Sequence, residues 1–117
     1  MASENADAAR RGFEAAMRGD LDPIENLLDP NVKWHGGDPA SGCQNKEEAL
    51  NFMRQALENG FAAELVDVID AGNQVIVVLK PANAPEPRAN LTTFRDGKVV
   101  EMVAFESPED AQLAASS

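Results

Sequence analysis

The run Gln74-Val75-Ile76-Val77-Val78-Leu79 constrains the fold of this chain more than any other segment. A continuous β-branched stretch of this length reads as a strand. Apolar side chains at both parities require burial on both of its faces. The flanking sequence supplies partners for it. Phe61 to Asp70 is rich in Val, Ile and Leu and reads as a strand, and Ala71-Gly72-Asn73 turns the chain. Arg88 to Arg95 and Lys98 to Phe105 read as two further strands, joined by Asp96-Gly97, a strong two-residue hairpin signal. Between them, Pro81 to Pro87 holds three prolines and cannot be a central strand.

The first half of the chain has a different period. Ala6, Ala9, Phe13, Ala16 and Met17 recur at three and four residues, which predicts a helix from about Glu4 to Arg18, stopped by Gly19. Asp22 as cap, Pro23 at the first helical position and Glu25 three residues after the cap predict a second, shorter helix ending at Asp29-Pro30. Val32 to His35 reads as a short strand, and Gly36 to Gln44 as a loop. Asn45 with Glu48 has the capping-box spacing and opens a third helix, which buries Ala49, Leu50, Met53, Ala56 and Leu57 and closes at Gly60. The element order is helix, helix, strand, helix and four antiparallel strands, followed by an Ala-rich tail read as a frayed turn of helix or disorder. Three amphipathic helices lying on one face of a curved sheet leave a wedge in which a pocket forms.

At 117 residues the chain is one domain, with a core at about residues 5–106 and a tail over 107–117. Ten basic against twenty acidic residues give a net charge of −10, which argues against a nucleic-acid surface or an anionic membrane as partner. No apolar run approaches the roughly 20 residues of a membrane span. Met1-Ala2-Ser3-Glu4-Asn5 has no signal-peptide character, and the single cysteine, Cys43, permits no internal disulfide, so a cytoplasmic location is expected. One His and one Cys make no usual zinc site, and no phosphate-cradling glycine pattern is present, so neither a metal nor another cofactor is expected.

Three stretches carry a family resemblance. They are Phe13-Glu14-Ala15-Ala16-Met17-Arg18-Gly19-Asp20-Leu21-Asp22, Leu27-Leu28-Asp29-Pro30-Asn31-Val32-Lys33-Trp34-His35-Gly36 and Thr93-Phe94-Arg95-Asp96-Gly97-Lys98-Val99-Val100-Glu101-Met102. In this order and spacing the chain resembles the nuclear transport factor 2-like superfamily, in its SnoaL-like branch. The resemblance implies an α+β fold. It is a cone in which a curved, mostly antiparallel sheet wraps over three helices from the N-terminal half, with a hydrophobic cavity at its wide end. It also implies a homodimer in which a second copy covers the apolar outer face of the sheet. Members include ketosteroid isomerases, polyketide cyclases and non-catalytic binding modules, and fold alone does not choose among them. Two departures bear on that choice. The Pro81–Pro87 loop replaces a longer hairpin at the cavity rim. Met102-Val103-Ala104-Phe105 stands where some cyclases carry an acid.

The only tryptophan and the only histidine, Trp34 and His35, are adjacent. The resemblance places His35 near the general base of ketosteroid isomerases, and histidine is the side chain that ordinarily titrates near neutral pH. The alternatives are a pocket-lining His without catalysis, or a structural His bonded to loop backbone. Strict alternation sends Trp34 and His35 to opposite faces, so both line one cavity only where the strand ends or bulges. Asn90 falls near the position of an isomerase's enolate-stabilising acid, and an amide can donate there. Its alternative is an exposed strand position. Glu101 shares parity with Val99, Val103 and Phe105; an inward face makes it a buried carboxylate and an outward face a solvated charge. The catalytic candidates are therefore His35, Asn90 and Glu101. The candidates for ligand contact are Trp34, Phe13, Met17, Met53, Arg88 and Met102. The first functional expectation is isomerase- or cyclase-type proton transfer on a small carbonyl compound. The second is a non-catalytic module for a small hydrophobic ligand or for dimerisation.

Overall fold

A computed structural model describes residues 4–38 and 40–116. Met1 to Ser3, part of the N-terminal stretch considered above, lie outside the described residues. The elements run α1 (Glu4–Met17), α2 (Asp22–Leu27), β1 (Leu28–His35), α3 (Lys46–Glu58), β2 (Ala63–Ala71), β3 (Gln74–Pro81), β4 (Arg88–Arg95), β5 (Lys98–Phe105) and α4 (Pro108–Ser116). The five strands form one open sheet in the order β1-β5-β4-β3-β2. All pairs are antiparallel except β1 with β5, which is parallel.

Local sequence explains most of these boundaries. The Asn45 side chain accepts the Glu48 N–H at 2.9 Å, and the Glu48 carboxylate accepts the Gln44 N–H at 2.8 Å, which satisfies two donors at the start of α3. The β4–β5 hairpin turns at Asp96 and Gly97, both at positive φ (53° and 80°), as a primed two-residue turn demands. Asp22 does not cap α2. The Asp20 carboxylate accepts the Asp22 N–H instead, and Pro23 sits in the first turn. Strand β1 starts at Leu28 rather than Val32, because it lies at a sheet edge, where Pro30 removes no ladder bond from a central strand.

Strand β3 is buried on both faces as its composition demands: Val75, Ile76, Val77 and Val78 are all buried. Val75 and Val77 face the inner core, with Phe13, Ile24, Leu28, Val32, Phe94, Val99 and Met102. Ile76 and Val78 face an outer cluster with Ala89, Leu91 and Ala111. Fully burying one such side chain contributes about 1.5–3 kcal/mol. Ala111 belongs to α4. The Ala-rich tail is thus a nine-residue helix packed on the outer face. The apolar face on which the homodimer expectation rested is in contact with the chain's own C-terminal helix.

Candidate functional site

The wedge between helices and sheet holds a cavity of about 260 Å³. Helix α1 contributes Phe13, Ala16 and Met17 to its wall, and α3 contributes Phe52, Met53, Ala56 and Leu57. Leu21 and Ile24 close the side of α2, Phe61 to Ala63 the entry to β2, and Trp34, Leu79 and Asn90 the sheet. Phe52 and Phe61 are 57% and 46% exposed and so stand at the rim rather than the floor. The Phe52 ring meets Trp34 edge-on, at 5.1 Å between centroids and 78° between planes, an arrangement that aromatic quadrupoles favour.

Trp34 is held in this wall by the loop that follows it. Its N–H donates to the Cys43 carbonyl at 3.0 Å, and the Cys43 N–H donates back to the Trp34 carbonyl at 2.8 Å. The loop approaches so closely that a Cβ at Gly42 would lie 2.0 Å from the Trp34 oxygen and 2.8 Å from His35 Cα. Only glycine fits there. Burial first, and the nearby Glu48 carboxylate second, push the Cys43 thiol up from its ordinary pKa, so it stays protonated.

Asn90 is the only amide among the described residues of the cavity wall, where the one other side-chain polar group is the indole N–H of Trp34. Asn90 projects from β4 on the same face as Thr92 and Phe94, and the Thr92 hydroxyl donates to its Oδ1 at 3.3 Å.

His35 lies elsewhere. Strand alternation holds at this point, so Trp34 turns inward and His35 outward, where it pairs with Val103. The His35 side chain is 5% exposed and pinned on both sides. Its Nδ1 accepts the Gly37 N–H at 3.0 Å, which places the ring proton on Nε2, and Nε2 donates to Glu101 Oε2 at 2.8 Å. Neither His35 nor Glu101 lines the cavity. The candidate catalytic residues are therefore split across the sheet: His35 and Glu101 share the outer face and Asn90 the inner one.

Glu101 shows why parity misleads on β5. The register slips between the pairs Thr93–Glu101 and Phe94–Val99, so Val99 faces the inner core while Glu101 faces outward, despite their even spacing. A bulge inverts the alternation from that point on. Of the candidate ligand-contact residues, Phe13, Met17, Trp34 and Met53 line the cavity. Met102 is wholly buried in the core and does not line it, and Arg88 is exposed at the start of β4. Phe52 and Phe61 escaped the sequence reading. The available signal was a large aromatic at position 52, off the buried stripe of α3. No group of three or more His, Cys, Asp or Glu that could hold a metal occurs among the described residues. No helix among them is long and apolar enough to cross a membrane.

Comparison with known proteins agrees with this architecture. The SnoaL-like domain family matches residues 9–102. No curated protein matches the sequence. Among solved structures, a SnoaL-like protein from Burkholderia thailandensis superposes with a TM-score of 0.75 at 18% identity, covering 92% of this chain and 98% of its own. A protein assigned as a polyketide cyclase from Sinorhizobium meliloti gives 0.69 at 19% identity, with 84% and 93% covered. TerC, crystallised with polyporic acid, gives 0.69 at 18% identity, with 98% and 100% covered. Other solved neighbours are NTF2-like and cystatin-like proteins. At these identities the likeness is one of fold.

Proposed function

We propose that this chain, which belongs to the SnoaL-like domain family, binds a small, uncharged, largely apolar molecule in its inner cavity and does so without catalysing proton transfer. The composition of the cavity wall carries this reading: thirteen wholly apolar side chains, the Trp34 indole and one amide, Asn90. An apolar cavity of roughly 150 Å³ admits benzene, so about 260 Å³ has room for a fused bicyclic compound. A general base must come within hydrogen-bond reach of the proton it takes. No lining residue titrates, and both nitrogens of His35 are engaged on the other side of the sheet. TerC was crystallised with a small organic molecule, which supports a ligand role for this fold without assigning a site here.

The test uses 1-indanone, a compact ketone with exchangeable protons next to its carbonyl. At roughly 0.5 kcal/mol per non-hydrogen atom, its Kd falls on the order of 0.1 mM. Calorimetry in H₂O should show saturable one-site binding. Proton NMR in D₂O should show α-deuteration at the rate of protein-free buffer. Saturable binding together with protein-accelerated exchange would restore the isomerase-type reading. Absence of saturable binding would overturn the binding reading.

A further inference from the structure

The single amide in the cavity wall has an orientation that its neighbour determines. Thr92 is fully buried, and its hydroxyl has one partner, the Asn90 side chain, at 3.3 Å. A buried hydroxyl left without an acceptor costs its full desolvation penalty. Were the Asn90 amide turned over, Nδ2 would donate to Thr92 Oγ1 and the hydroxyl proton would have nowhere to go. With Oδ1 toward Thr92, the hydroxyl is satisfied and Nδ2 is the end left over. Nδ2 makes no hydrogen bond among the described residues, yet no buried side-chain nitrogen or oxygen among them lacks a partner. It is therefore accessible, and Asn90 lines the cavity.

We propose that Thr92 is a positioning residue that fixes the cavity's one amide as a donor, like the donor-only indole N–H of Trp34, so that the site selects ligands carrying a hydrogen-bond acceptor over those carrying a donor. This rests on the binding reading above and adds the ligand's chemical class: an uncharged bicyclic-sized molecule with a carbonyl, ether or ring-nitrogen acceptor. A carboxylate or an ammonium finds no counter-charge in the wall and would lose its hydration without return. A donor such as an indole N–H would meet the amide N–H head-on, while a ketone oxygen would accept from it.

Three ligands of similar shape separate these cases: indane has no polar atom, 1-indanone an acceptor and indole a donor. Each is titrated calorimetrically into the full chain and into Thr92→Val, Thr92→Ser and Asn90→Leu. The wild type should bind 1-indanone about tenfold more tightly than indole, with indane between them. Thr92→Val, close in shape but without the hydroxyl, frees the amide to turn over and should bring that ratio to about twofold or less. Thr92→Ser should restore it, which a packing role for the threonine methyl would not do. Asn90→Leu should make indane the tightest ligand. Equal wild-type binding of all three overturns this inference and leaves the binding reading standing. Binding of none overturns both. A full ratio retained in folded Thr92→Val overturns the role of Thr92 alone; should that variant fail to fold, a ratio lost in Thr92→Ser or kept in Asn90→Leu refutes the proposal.

Discussion

Replacing Gly42 by alanine tests how the cavity wall is held. The added methyl would sit 2.0 Å from the Trp34 carbonyl oxygen and 2.8 Å from both Cα and Cβ of His35. The first two are backbone atoms, so no side-chain rotation relieves the clash. The loop must lift from β1, and with it go the two bonds between Trp34 and Cys43. At about 1 kcal/mol net for each hydrogen bond, the loss is about 2 kcal/mol. For a domain of this size, each kcal/mol lowers Tm by about 4 °C, so the expected drop is about 8 °C. Trp34 loses its restraint at the same time, and affinity for 1-indanone should fall with it. Gly36→Ala is the matched control. It lies in the same loop, has nothing within 4 Å of an added methyl and does not adopt positive φ. It should change stability by less than about 0.5 kcal/mol. Differential scanning calorimetry reads both variants. A folded Gly42→Ala protein melting within about 2 °C of wild type would refute the reasoning, because it would show that the loop does not hold the strand edge as closely as described.

Three further outcomes follow from the same geometry. His35→Ala removes the ring that ties Gly37 to Glu101; chemical denaturation should show a loss of about 1–3 kcal/mol, while Kd for 1-indanone stays within about twofold of wild type. Ala56→Phe places a ring in the cavity from α3; it should weaken 1-indanone binding by about tenfold or more without lowering Tm, since it fills empty space rather than crowding a packed core. Hydrogen bonds from the Ser41 hydroxyl and the Ala40 N–H hold the Asp38 carboxyl below its usual value of 3.8. Folding then favours the ionised form, so its contribution is present above pH 3.8 and is lost as pH falls through the lowered value. The Tm difference between wild type and Asp38→Asn should therefore be visible at neutral pH and close as acid is added.

Much of the fold was legible because its signals are local. The Asn45–Glu48 cap, the Asp96-Gly97 turn and the β-branched run of β3 each act within a few residues, and the structure places each where its chemistry requires. The opposite orientation of Trp34 and His35 was legible too, from alternation alone. Non-local choices were not. Nothing in Lys98 to Phe105 announces the bulge that puts Val99 inside and Glu101 outside, because a bulge is set by register against β4. The docking of α4 was equally hidden. Its Ala-rich sequence has weak amphipathicity, and its burial depends on a sheet face that tertiary folding creates. At the site, the only tryptophan and the only histidine were both candidates, and alternation let them share one cavity only if the strand ended or bulged there. The sheet separates them, leaving Trp34 with the cavity and His35 hydrogen-bonded to Gly37 and Glu101 on the outer face.

The central claim is that the inner cavity, and not the His35–Glu101 pair, is where this protein meets a small molecule. Titration of ¹⁵N-labelled protein with 1-indanone, followed by amide correlation spectra, tests it most directly. The account predicts saturable shifts centred on Ala16, Phe52, Ala56 and Asn90, with His35, Glu101 and Val103 on the outer face unmoved. Shifts centred on His35 and Glu101, or no saturable shift at the cavity wall, would contradict it.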